Sequence, residues 1–121
     1  LPEDRGQEND EVLLDREKAL ENVEGDEEFL KEIYTIFLEE VPERIEAFRN
    51  NIDDNNLEKI VSLAHSLKGV SLTVGAISCH ELSREVEMAA RNGDGEKVKQ
   101  LYSRLEDLLR RIEKEIESMD L

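Results

Sequence analysis

Tryptophan is absent from this 121-residue chain, and aromatic residues make up only 4% of it. Any core must therefore rest on leucine, isoleucine, valine and alanine rather than on large rings. Cysteine is nearly absent too. Cys79 stands alone, so no internal disulfide can form, a usage that fits a reducing cytoplasm. Basic residues are outnumbered, 16 against 31 acidic ones, for a formal net charge of -15. That balance argues against nucleic acid, where affinity comes from neutralising phosphates, and against an anionic membrane surface. Its first consequence is solubility. Nothing approaches the roughly 20 apolar residues that span a bilayer, and no signal peptide is visible. Strand-like alternation, internal repeats, glycine-rich phosphate loops and nucleotide-kinase signatures are also missing.

What remains is a chain 39% charged, which suits helices with narrow apolar faces and broad solvated backs. Its length predicts one domain. Residues 1–11 are polar, contain Pro2 and Gly6 and show no periodicity, so they read as a linker or loose tail. The chain opens on Leu1 rather than methionine, which raises the expectation of a piece of a longer protein. Residues 12–121 read as the bundle. Asp15 caps a short helix through Val23 that Gly25 terminates, and Asp26 caps the next. Phe29, Leu30, Ile33, Phe37, Ile45, Phe48 and Ile52 form the apolar stripe of that second helix. Pro42 interrupts its hydrogen bonding, yet the pattern resumes in phase, so a kinked but continuous helix is expected.

Asp53-Asp54-Asn55-Asn56 is turn chemistry, and either asparagine can cap the next helix. Leu57, Ile60, Ala64, Leu67 and Val74 mark its buried face. Gly75 breaks it before a helix through Ala90 with Cys79, Leu82, Val86 and Ala89 or Ala90 inward. After Asn92-Gly93-Asp94-Gly95, a last helix shows Val98, Leu101, Leu105, Leu108, Ile112, Ile116 and Met119. Four such stripes are buried together in an all-α, antiparallel up-down four-helix bundle, with the short N-terminal helix capping one end. A monomer is expected, since the heptad-like last helix has three other stripes to cover.

One residue on this scaffold faces the wrong way for packing. His65 lies about 130° from the middle of its helix's apolar stripe, so it points to solvent or to a partner. Lys68 lies one turn on, on the same surface. Gly69, four residues after the histidine, clears the space beside the imidazole, at a helix cost of about 1 kcal/mol relative to alanine. Val61 and Leu72 flank His65, with Ser62 and Glu58 beside them, as a docking patch with an apolar centre and a polar edge. Each of the two apolar residues reads equally well as ordinary core edge. His80 next to Cys79 and Glu81 suggests a metal site, but neighbouring side chains project about 100° apart, and no second histidine follows at zinc-helix spacing. No metal site is expected: His80 reads as an exposed polar residue, Cys79 as small core filler.

Ala64-His65-Ser66-Leu67-Lys68-Gly69, followed by Val74-Gly75-Ala76, resembles the H-x-x-K-G signature of histidine phosphotransfer (HPt) domains. Asp15 to Leu20 and Gly25 to Leu30 look like the opening of that family. Leu82, Val86-Glu87 and Asn92-Gly93-Asp94 fall where such domains have similar residues. Ser71-Leu72-Thr73 departs from the common pattern, which carries small residues and an asparagine there. The resemblance implies a phosphorelay intermediate in which His65 is the phosphorylated nucleophile, assisted by Lys68 and Gly69. Lys68 would offset the added charge. Donor and acceptor would be response-regulator receiver domains, whose Mg2+ and catalytic groups leave this chain needing no cofactor and no enzyme activity of its own. A hybrid histidine kinase in cis is one setting for it. The alternatives are a helical adaptor in which His65 does no chemistry, and the related phosphotransfer module of chemotaxis kinases.

Overall fold

Four polar side chains start four of the five helices of the computed structural model, which describes residues 12–121; the expected tail, residues 1–11, lies outside them. Asp15, Asp26, Asn56 and Asp94 each accept a hydrogen bond from the backbone N–H three residues on, at 3.0–3.2 Å. They open α1 (Arg16–Asn22), α2 (Glu27–Asp53), α3 (Leu57–Thr73) and α5 (Gly95–Ser118). Each such cap contributes about 1 kcal/mol. Only α4 (Ile77–Arg91) starts without one, at Ala76. The described residues contain no strand.

The turns between the long helices take three residues each, so successive helices run antiparallel. α3 packs on both α2 and α4, and α5 on α4 and α2, closing a ring of four around one core. The short α1 lies across α2 and α3. No described helix is long and apolar enough to cross a membrane.

Pro42 leaves α2 unbroken over its 27 residues. A mid-helix proline costs about 3 kcal/mol. Phe37, Val41, Ile45 and Phe48, buried in phase on both sides of it, each contribute roughly 1.5–3 kcal/mol on leaving water and outweigh that loss. The inward series of α2 is Leu30, Tyr34, Phe37, Val41, Ile45 and Phe48. Of the expected stripe Leu30, Phe37, Ile45 and Phe48 are buried and Ile33 and Ile52 are partly buried against them, but Phe29 stands 48% exposed. Leu30 takes the inward direction at the start of the helix, and Phe29, about 100° away, is turned outward. Tyr34 and Val41 were not assigned to the stripe; in α5 the same holds for Tyr102 and Leu109, both buried. Tyr102 stacks on Phe48 with ring centroids 4.9 Å apart, so two of the few aromatics meet at one point of the core. Both Ala89 and Ala90 face inward on α4, and Cys79 is buried, accepting a hydrogen bond from Ser71 Oγ at 3.1 Å.

His80 corrects a second expectation. Rather than standing exposed, it is half-buried, with Nδ1 2.9 Å from the carbonyl oxygen of Lys68. A carbonyl only accepts, so Nδ1 carries the proton and ties α4 to α3 behind the outward face.

The turn after α3 decides how α1 sits. Ala76 N–H reaches Ser71 O at 2.8 Å and Gly75 N–H reaches Leu72 O at 3.2 Å, the paired bonds that finish a helix with a left-handed residue. Gly75 is that residue, with φ of 79°. Asp15 N–H donates to Gly75 O at 2.8 Å, and a Cβ on Gly75 would lie 2.2 Å from the Asp15 carbonyl oxygen. Asn22 Nδ2 adds bonds to the last carbonyls of α3, Leu72 O and Thr73 O, both at 3.2 Å. Replacing Gly75 with alanine should therefore cost about 2 kcal/mol or more, from the left-handed backbone and the collision with α1. Gly69→Ala, where an added Cβ meets nothing within 4 Å, should gain up to about 1 kcal/mol. Urea unfolding midpoints for the two variants check both signs; equal midpoints would mean that the seat of α1 on this turn is dispensable.

Candidate functional site

His65 projects from the middle of α3, and its side chain is 65% exposed. The reason is local: Ala64 and Leu67 on either side take the inward positions, both fully buried, and leave the imidazole on the opposite side. Gly69 stands exposed one turn further on, with open space where a Cβ would be. Glu58, Ser62 and Leu72 are exposed on the same side of α3, and Val61 is half-buried against the core. Helix geometry thus brings Glu58, Val61, Ser62, Gly69 and Leu72 around the ring. On the α2 flank, Arg44 donates to Ser66 Oγ at 3.3 Å and to Glu40 at 3.0 Å, pinning α2 beside the histidine. Further along that flank a small apolar groove of about 150 Å³ opens between Ile36, Ile33, Val70 and Val74.

The other flank carries the residue that the sequence reading passed over as a family-like position with no role. Glu87 lies on the inward side of α4, its side chain only 6% exposed. Three donors converge on it. His65 Nδ1 is 3.1 Å from Oε2, Lys68 Nζ 2.9 Å from Oε1, and Arg91 Nη2 2.7 Å from Oε2. Burial opposes a charge there, but the hydrogen bonds from Lys68, Arg91 and His65 more than offset it and lower the carboxyl pKa to about 2. Glu87 is therefore ionised at any pH at which the protein works. Facing a carboxylate, Nδ1 must be the protonated nitrogen, which leaves the Nε2 lone pair directed away from Glu87.

Lys68 turns toward α4, 27% exposed, and is held in an ion pair by Glu87, the carboxylate that it shares with His65. A buried carboxylate attracts the nearest flexible cation more strongly than solvent does. The signal that could have revealed Glu87 was present: among Leu82, Ser83, Val86, Ala89 and Ala90, an acidic residue on the buried side of α4 asks for partners. Among the described residues no group of three or more His, Cys, Asp or Glu side chains is placed to hold a metal ion.

An open imidazole, oriented by a buried charged residue on a helical bundle, defines a class of protein that presents histidine to a visitor rather than enclosing a substrate. Comparison with known proteins names the class. The Hpt domain model matches residues 32–115. The phosphorelay intermediate protein rdeA of Dictyostelium discoideum is 25% identical over 92 residues, 76% of this chain; the match spans only 36% of that protein. Two solved structures share the fold: the HPT domain of a Shewanella hybrid sensor histidine kinase, and the histidine-containing phosphotransfer protein B of Pseudomonas aeruginosa. The first has a TM-score of 0.82 at 21% identity, covering 88% of this chain and 92% of that one. The second has 0.81 at 20%, covering 88% and 93%. This chain belongs to the Hpt domain family, the histidine phosphotransfer bundles of two-component phosphorelays.

The depressed pKa of Glu87 makes stability depend on acid. The folded state holds the carboxyl at about 2 against an ordinary 4.5, so the unfolded chain takes up the proton first as pH falls. The stabilisation is complete above about pH 4.5 and is lost as pH falls toward 2. Glu87→Gln should lower stability by a few kcal/mol at pH 7 and have less effect near pH 2.5, because the wild type is itself losing the ion pairs there. Urea unfolding at the two pH values checks this. An equal loss at both would show that the carboxylate's charge does not stabilise the fold.

Proposed function

We propose that this chain is a cytoplasmic phosphocarrier in which His65 accepts a phosphoryl group from a receiver-domain aspartyl phosphate and passes it to a second receiver. One observation carries the reading: an exposed imidazole whose Nδ1–H is anchored on an ionised, buried carboxylate. Transfer forms a bond from Nε2 to phosphorus while the bond from phosphorus to the aspartyl oxygen breaks, the leaving carboxylate taking the electron pair. Nδ1 keeps its proton, so the ring becomes cationic as the new bond forms. Glu87 stabilises that charge without having to move, the same service that an orienting carboxylate performs for a catalytic histidine elsewhere. Onward transfer is the reverse of these steps on a different aspartate.

The supporting groups follow. Lys68 completes the charge balance of Glu87 and so holds it in place for His65. Gly69 leaves room for the incoming domain. Glu58, Val61, Ser62 and Leu72 form its landing area, which the apolar groove at Ile36 and Val70 extends on one side. The receiver supplies Mg2+ and the catalytic groups, so this chain needs no cofactor and is no enzyme alone. It works as a monomer, free or joined to a hybrid kinase. The exposure of His65, 65% of its side chain, fits a macromolecular donor whose own active site closes over the ring.

Incubation with a phosphorylated receiver tests the reading. Label that is acid-labile and base-stable should appear on the wild type and not on His65→Gln; equal labelling of both would remove His65 from the mechanism and leave a helical adaptor. Lys68→Ala should slow transfer roughly tenfold by loosening Glu87, with the fold retained. Gly69→Leu should also fold, since leucine suits a helix, yet slow transfer by roughly tenfold or more because the side chain occupies the approach. Normal transfer by that variant would mean that the receiver does not pass over Gly69.

A further inference from the structure

We propose that Arg91 is the phosphoryl-binding residue of this site, making its contact only once His65 carries the group. The proposal rests on the reading of His65 as the phosphorylated residue, and it asks which cation answers the new charge. A phosphoryl group brings about two negative charges. It arrives on Nε2, the ring nitrogen turned away from Glu87, while Nδ1 stays on that ionised carboxylate. Two cations lie within reach, Lys68 and Arg91, and the structure places them differently.

Lys68 Nζ, 2.9 Å from Oε1 of Glu87, sits in the seam between α3 and α4 with its side chain 27% exposed. Withdrawing it would strand an oxygen of a carboxylate that is itself 6% exposed, which is the costly way to break a buried pair. Arg91 stands at the end of α4 with its side chain 58% exposed. Its Nε and Nη2 edge lies 3.2 and 2.7 Å from Oε2, the same oxygen that accepts from His65 Nδ1 at 3.1 Å. The guanidinium is therefore beside the imidazole edge. Its Nη1 makes no hydrogen bond among the described residues. A guanidinium is a planar fork with two usable edges. A turn of the whole group that keeps Nε on Glu87 presents the Nη1–Nη2 edge to the phosphoryl oxygens, so the carboxylate keeps a partner. An ammonium offers no such bridge.

Since this contact exists in the phosphorylated state alone, it shifts the transfer equilibrium toward phosphohistidine rather than strengthening docking. Arg91 thus sets how readily the chain gives up its phosphoryl group. The test uses full chains phosphorylated on histidine with phosphoramidate and mixed with one equivalent of a receiver domain, reading the equilibrium ratio of phosphohistidine to aspartyl phosphate. In Arg91→Gln the ratio should fall roughly threefold to tenfold, the size of one partly exposed charge-assisted contact. Arg91→Lys should recover part of it. The wild-type ratio should fall with added salt and that of Arg91→Gln should not. In the unphosphorylated variants the Nδ1–H signal of His65 should persist, since Lys68 still holds Glu87 in place. An unchanged ratio in Arg91→Gln would overturn the proposal. So would a fall accompanied by loss of the Nδ1–H signal and no recovery in Arg91→Lys, the pattern of an arginine that only positions Glu87. A wild-type chain that takes no phosphoryl group on His65 would instead overturn the reading on which the proposal stands.

Discussion

Glu87 occupies a position on α4 where a hydrocarbon side chain would pack at no electrostatic cost. Taking an isolated carboxylate out of water costs several kcal/mol, and no single exposed ion pair recovers that. The arrangement survives because donors arrive from both helices: Lys68 and His65 from α3, Arg91 from α4 itself. Satisfying all three fixes the rotation of α3 against α4 about the site, and His80 on the Lys68 carbonyl reinforces the same seam. Imidazole orientation and tautomer are consequences of that one buried charge. If Glu87 were a leucine the bundle would still close, but His65 would be a freely rotating side chain with its proton on either nitrogen.

The outward direction of His65 was legible from spacing alone, because Ala64 and Leu67 can both be inside only if residue 65 is outside. The helix starts were legible for a related reason: Asp15, Asp26, Asn56 and Asp94 act on backbone groups three residues away. Interactions of that range are written in the chain. Glu87 acts on His65 across 22 residues, and its α3 partners His65 and Lys68 become neighbours only when α3 and α4 are docked. A resemblance marked the position without saying what the residue does. Most of the α2 stripe was legible in the same way, with Leu30, Phe37, Ile45 and Phe48 all buried, but Phe29 fits the spacing as well as Leu30 does, and which of the two turns inward depends on where the neighbouring helices lie. Tyr34 packs its ring as core although it carries a hydroxyl.

Net charge and local charge point in opposite directions. The whole chain carries -15, yet beside His65 two cations face one buried carboxylate. At physiological ionic strength charges separated by more than about 8 Å are largely screened. The distant acidic residues therefore govern solubility and the long-range approach of a partner, favouring a basic one. They have little hold on the site. Contacts of 2.7–3.1 Å at a carboxylate withdrawn from solvent are screened much less, so Glu87 and its donors determine the local field.

A site of this kind has no cavity to preorganise, and precision must come from elsewhere. Enzymes that enclose a substrate hold it with converging loops; here an imidazole is held at a fixed position on an exposed helical face. Helices supply that better than loops, because the α3 backbone is held by its own hydrogen bonds and by Ile60, Ala64 and Leu67 in the core. The two glycines near the site divide the work. Gly75 allows the left-handed backbone and close contact that seat α1 on the end of α3, a structural need. Gly69 meets nothing that a methyl group would touch, so the fold gives no reason for it. Its effect on the surface is local: it leaves the helix face beside His65 bare for one turn, at the helix cost that a glycine carries.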